Sequence, residues 1–77
     1  MDPAVIKLLA VGMIGSLGLL GPALAIGFIG QAALTGIARN PEASGPMMTN
    51  MILVTAFAEA IGIYALILAI ILAMIVK

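Results

Sequence analysis

Glu59 is the residue whose type and setting most call for a chemical role. It follows 16 uncharged residues counted from Glu42 and precedes 17 more before Lys77, most of them apolar. A lone carboxyl group can bind and release a proton or another small cation without help. Other chemistries lack their usual parts. The chain has no histidine and no cysteine, so it lacks thiolate ligands, disulfides and the commonest base and metal ligand. No metal site and no catalytic residue is expected.

The setting of Glu59 follows from the rest of the chain. Hydrophobic residues make up 65% of it and charged residues 8%, against about 25% charged in ordinary soluble domains. Between Lys7 and Arg39 lie 31 residues without a charge. Between Glu42 and Lys77 lie 34 positions whose single charge is Glu59. A membrane-spanning helix needs roughly 20 apolar residues, so each run crosses once and neither crosses twice. Both runs are too long for the apolar part of a cleaved signal peptide. The expected fold is all-α, a single transmembrane hairpin over residues 1–77. Its first helix covers about 3–38, its polar loop 39–45 and its second helix about 46–76.

Glu59 then lies near mid-membrane. An ionised side chain there costs at least ~2.5–3.5 kcal/mol, and burial penalises the charged form of any carboxyl group. Arg39 is 20 residues away in sequence, roughly 30 Å along a helix. Glu59 is therefore neutral at rest or meets a cation supplied by another chain. Such a group picks up and releases an ion as its surroundings change. Thr55, Phe57 and Tyr64 are candidate supporting groups, through a hydroxyl or a backbone carbonyl. Folding the hairpin about its turn sets residues 22–26 opposite Glu59, and none of them has a side-chain oxygen. Sodium needs several oxygen ligands, so the surroundings favour H⁺.

Local signals place the helix ends. Pro3 suits a first helical position, Asn40 can cap, and Glu42 favours the positive end of a helix dipole. The second helix starts at Pro41 or, because of Gly45-Pro46, only at Pro46. Pro22 lies deep inside the first run. It frees a carbonyl one turn back, near Gly18, and can bend the helix. In Gly21-Pro-Ala23-Leu-Ala25-Ile-Gly27, small residues alternate with others. Gly21 and Ala25 fall on one flank of a helix, Ala23 and Gly27 on nearly the opposite one. Two such stripes let a helix pack between two copies of itself in a ring, although ordinary pairwise packing uses small residues as well. The second helix is bulkier, as suits a layer facing lipid. One arginine at the turn against two lysines near the ends slightly favours cytoplasmic termini. No basic cluster suggests nucleic acid.

The turn Ala38-Arg39-Asn40-Pro41-Glu42, the small residues ahead of it and an acid 20 positions after the arginine resemble the c-ring proteolipids of F-type ATP synthases over essentially the whole chain. That resemblance implies a ring of identical hairpins in the Fo sector, first helix inside and second outside. It implies that Glu59 is reversibly protonated and exchanges H⁺ with two half-channels in the stator's a-subunit, whose arginine supplies the missing cation. It implies contact of Arg39, Asn40, Pro41 and Glu42 with the central stalk, formed by the gamma and epsilon subunits. Lipid is the remaining partner and no cofactor is implied. The turn then faces the catalytic head, opposite to the charge count, in a bacterial inner (plasma) membrane or another energy-transducing membrane. Sodium-type members carry glutamine where Ile26 stands and hydroxyl residues where Ala60 and Ile61 stand, so the departures also favour H⁺. Ala23 and Ala25 replace two of the family's alternating glycines. Two other classes compete with this reading. A drug–proton antiporter typically needs more helices and aromatic walls, and a purely structural hairpin leaves Glu59 without a purpose.

Overall fold

The computed structural model describes residues 2–76, arranged as two long helices and one tight turn. Helix α1 spans Pro3–Arg39, a 3-10 turn covers Pro41–Ala43, and helix α2 spans Ser44–Met74. Both helices are long and apolar enough to cross a membrane. They lie antiparallel in a slab of 58 × 18 × 8 Å. The long dimension exceeds the ~30 Å of a hydrocarbon core, so the hairpin tilts or extends past the lipid.

The helix ends show why the boundaries fall where they do. Asp2 caps α1, its Oδ1 accepting from the Ala4 N–H at 3.1 Å, and Pro3 occupies the first helical position. Proline is harmless there because that amide has no helical partner. Pro3 is legible in the sequence, whereas the cap by Asp2 emerges only from the structure. At the other end the Asn40 N–H donates to the Gly36 carbonyl at 2.9 Å. Arg39 sits in the last turn, near the negative end of the dipole.

The polar connection is shorter than the expected 39–45. Arg39 is helical, Asn40 alone lies outside any helical turn, and Ser44, Gly45 and Pro46 already belong to α2. The first amides of a helix have no internal acceptor, so Pro46 in the first turn sacrifices no hydrogen bond. Asn40 makes no side-chain cap. At its far end α2 stops at Met74 rather than 76, closed by the Ile75 N–H on the Ile71 carbonyl at 2.8 Å.

Small residues build the seam between the helices. Gly18, Pro22, Ala25 and Gly36 of α1 turn toward α2, which answers with Ala58, Gly62, Ala65 and Ala69. Ala58 and Ala69, the two buried residues among those described, are each 7% exposed. Close approach through small side chains is how helices associate where no hydrophobic effect separates protein from solvent.

The register is constant along the slab. Lys7 Nζ donates to the Val76 carbonyl at 3.2 Å. A methyl group built on Gly18 would lie 3.5 Å from Ala65 Cβ, and one on Gly62 3.7 Å from Pro22 Cβ. At the turn end, one on Gly36 would lie 2.9 Å from Met47 Sδ. In each pair the two residue numbers add to 83 or 84, so Pro22 neither breaks α1 nor shifts the pairing.

The 3.5 Å separation at Gly18 and Ala65 suits a disulfide, whose Cβ atoms stand about 3.5–4.5 Å apart. Gly18→Cys with Ala65→Cys should close an intramolecular bond in the otherwise cysteine-free chain, read by mass. Adding Ala69→Leu should lower the yield severalfold by overpacking the seam, at about 1–3 kcal/mol. Failure of the pair to close under oxidant would contradict this register.

Candidate functional site

Glu59 is the central residue of α2, with fifteen helical residues on either side (44–58 and 60–74). It follows the buried Ala58 and emerges on one broad face of the slab. A groove of about 290 Å³ opens beside it, lined by Pro22, Ala23 and Ile26 of α1 and by Gly62 and Leu66 of α2. Residues 22–26 thus stand at the level of Glu59, as the hairpin geometry requires. Gln31 is not among the residues lining this groove.

Among the described residues, no side-chain hydrogen bond and no ion pair engages the Glu59 carboxyl. The cations stand elsewhere: Lys7 reaches the Val76 carbonyl at the terminal end, and Arg39 lies at the turn. The described residues supply Glu59 with neither a counter-charge nor a side-chain oxygen from α1.

The other sequence candidates are distributed unevenly. Thr55 lies one turn before Glu59 on the same side of α2 and is half-buried in the seam. Phe57 and Tyr64 are each 66% exposed and point away from Glu59, about 200° and 140° around the helix. A single copy therefore does not bring their side chains to the carboxyl group. Gly21 and Gly27 face open space, with nothing within 4 Å of an added methyl group. Ala23 lines the Glu59 groove, whereas Ala25 turns partly into the seam. The split arises because the seam advances by three and four residues, through Gly18, Pro22 and Ala25. Arg39, Asn40, Pro41 and Glu42 are all exposed and form the tip of the hairpin.

A second groove, of about 420 Å³, opens between Ala32, Ala33 and Gly36 of α1 and Met47, Asn50 and Met51 of α2. Helical geometry sets it on the opposite broad face from Glu59. Both faces of the slab thus present concave surfaces, and small side chains of α1 dominate its share of the second one. Sequence reasoning assigns small residues to the first helix alone and misses the stripe Ala58, Gly62, Ala65, Ala69. The signal is present as alanine and glycine repeating at intervals of three and four.

Residues 9–72 match the family model described as the C subunit of ATP synthase. A protein of Dehalococcoides mccartyi, named as the c subunit of ATP synthase, is 53% identical over 72 residues, covering 94% of this chain and 95% of that one. Proteins of the same name from Petrotoga mobilis and Prochlorococcus marinus are each 42% identical over 66 residues. Those matches cover 86% of this chain, with 69% and 82% of the respective relatives.

An apolar carbodiimide, which attacks protonated carboxyl groups, should modify Glu59 in membranes and leave Asp2 and Glu42 largely untouched. Labelling should accelerate as the pH falls. Mass mapping of the adduct checks the site, and a rate indifferent to pH would count against a titrating acid.

Proposed function

The chain belongs to the family of ATP synthase C subunits, and on that basis we propose that Glu59 carries H⁺ across the membrane by reversible protonation and thereby drives rotation of its ring. Members of this family are membrane components of the ATP synthase and assemble in that complex as a ring. Family membership displaces both the antiporter and the purely structural hairpin.

The observation that supports a carrier is the isolation of Glu59 at the centre of an otherwise uncharged helix, with no cation in reach among the described residues. Neutral, the side chain travels past lipid at low cost. Beside a fixed positive charge it ionises and releases its proton, because an opposite charge favours the charged form. The arginine of the stator's a-subunit supplies that charge. Two half-channels deliver and remove protons on either side of it, so loading and release occur at different points of the circle. Each proton moving down 100 mV yields ~2.3 kcal/mol, so one ATP requires several copies acting in turn. The hairpin performs no covalent chemistry and uses no cofactor.

H⁺ rather than Na⁺ fits the groove. Sodium needs several oxygen ligands, and the residues lining the groove with Glu59 carry no other side-chain oxygen. Ile26 stands where a sodium-type member would carry glutamine. The exposed tip formed by Arg39, Asn40, Pro41 and Glu42 contacts the central stalk, through its gamma and epsilon subunits. Both termini then lie on the opposite side of a bacterial plasma membrane.

In the reconstituted complex, Glu59→Gln should abolish ATP-driven proton pumping, read by quenching of a pH-sensitive dye, while ATP binding in the head persists. Retained pumping would remove Glu59 from the ion path. The wild-type complex should pump protons equally with and without added sodium. A sodium requirement would reverse the choice of ion.

A further inference from the structure

Thr55 sits where the Glu59 side chain can reach it. Side chains of an α-helix tilt toward its N-terminus, so each covers the turn before its own Cα. For Glu59 that turn is residues 55–58. Ala58 is buried in the seam, Phe57 lies far around the helix, and Ala56 has no polar group. Thr55 is about 40° from Glu59 around the axis, on the tip side of it. Residues four apart on a helix have Cβ atoms about 6 Å apart. The glutamate chain extends far enough beyond its Cβ to bring a carboxyl oxygen within ~2.7 Å of a hydroxyl.

Both groups lack a partner among the described residues. Ser16 donates to the Gly12 carbonyl at 2.7 Å and Thr49 to the Gly45 carbonyl at 3.1 Å, each four residues back. Thr55 makes no such bond to Met51, and none reaches the Glu59 carboxyl. Thr55 is also half-buried, whereas Ser16, Thr35, Ser44, Thr49 and Tyr64 are exposed. An unpaired hydroxyl or carboxyl group is costly in an apolar medium. The groove on the other side of Glu59, toward Leu66, contains no second polar side chain to relieve either.

We infer that the Thr55 hydroxyl is the hydrogen-bond partner of Glu59 within one copy, accepting from the O–H of the neutral carboxyl group and donating to the carboxylate. This rests on the assignment of Glu59 as the reversibly protonated residue. A hydroxyl serves both forms because it carries one donor and two lone pairs. The bond holds the side chain back along α2 toward the tip while the residue passes lipid. Its reversal lets the proton depart without a change of partner. Thr55 is a positioning residue: the transported proton never resides on it. A threonine kept only for packing would be replaced by valine without effect on the carboxyl group.

Infrared difference spectra of the intact ring in lipid, acid minus neutral, test this through the C=O stretch of the protonated carboxyl group. The Glu59→Gln ring assigns the band. In the wild-type ring the band should lie in the hydrogen-bonded range. Thr55→Val removes the hydroxyl and keeps the branched shape, and should shift the band upward to the free-acid range. Thr55→Ser keeps the hydroxyl and should leave the band in place. If the Thr55→Val ring does not assemble, Thr55→Ala, which adds one more alanine beside the small-residue seam, decides instead. A band that stays put without the hydroxyl, or moves equally in Thr55→Ser, overturns the role of Thr55 and spares the carrier. A ring in which Glu59→Gln removes no titrating band overturns both.

Discussion

A hydrocarbon medium offers neither hydrogen bonds nor counter-charges, and each feature of this hairpin answers that constraint. Backbone amides and carbonyls must be satisfied within the chain, so the apolar runs are helical from end to end. Formal charges must reach the ends, and five of the six do. The sixth, Glu59, stands at the centre of α2 with no partner among the described residues. An acid held there has two inexpensive states, neutral in lipid or ionised beside a charge from outside. The proposed carrier role needs no other property of the side chain.

The same constraint shapes the packing. Apolar side chains gain little by leaving lipid for one another, so association depends on close approach. The hairpin achieves this by lining both helices with alanine and glycine at the seam, where just two of the described residues are buried. Large side chains such as Phe28, Phe57 and Leu8 face outward. Several glycines of α1, among them Gly12, Gly15, Gly21, Gly27 and Gly30, meet nothing within the hairpin. A soluble protein with so little interior would not hold together. Here those glycines leave small-residue surface open for close packing, in a family whose members assemble as a ring.

Most of the fold was legible because its determinants are local and additive. The lengths of two uncharged runs give the number of crossings, and the turn between them gives antiparallel pairing. The position of Glu59 at the centre of the second helix was legible for a similar reason, since it follows from the spacing of the charges. The less legible features depend on position within a turn rather than on residue type. Pro46 suggested a late helix start, yet proline in a first turn costs nothing. The capping by Asp2 depends on backbone geometry at one residue. Phe57 and Tyr64 lie close to Glu59 in sequence but on other sides of the helix, and only the seam fixes which sides those are. The small residues of α2 were overshadowed by the bulkier ones that dominate its composition.

Asn40 is the single residue that interrupts the helical run between Pro3 and Met74 other than by a 3-10 turn. The end of the hairpin is therefore stiff. Twist applied at the tip has almost no slack linker in which to dissipate, and a uniform pairing along the seam carries both helices as one rod. A load applied at the exposed tip would therefore reach the level of Glu59 with little lag.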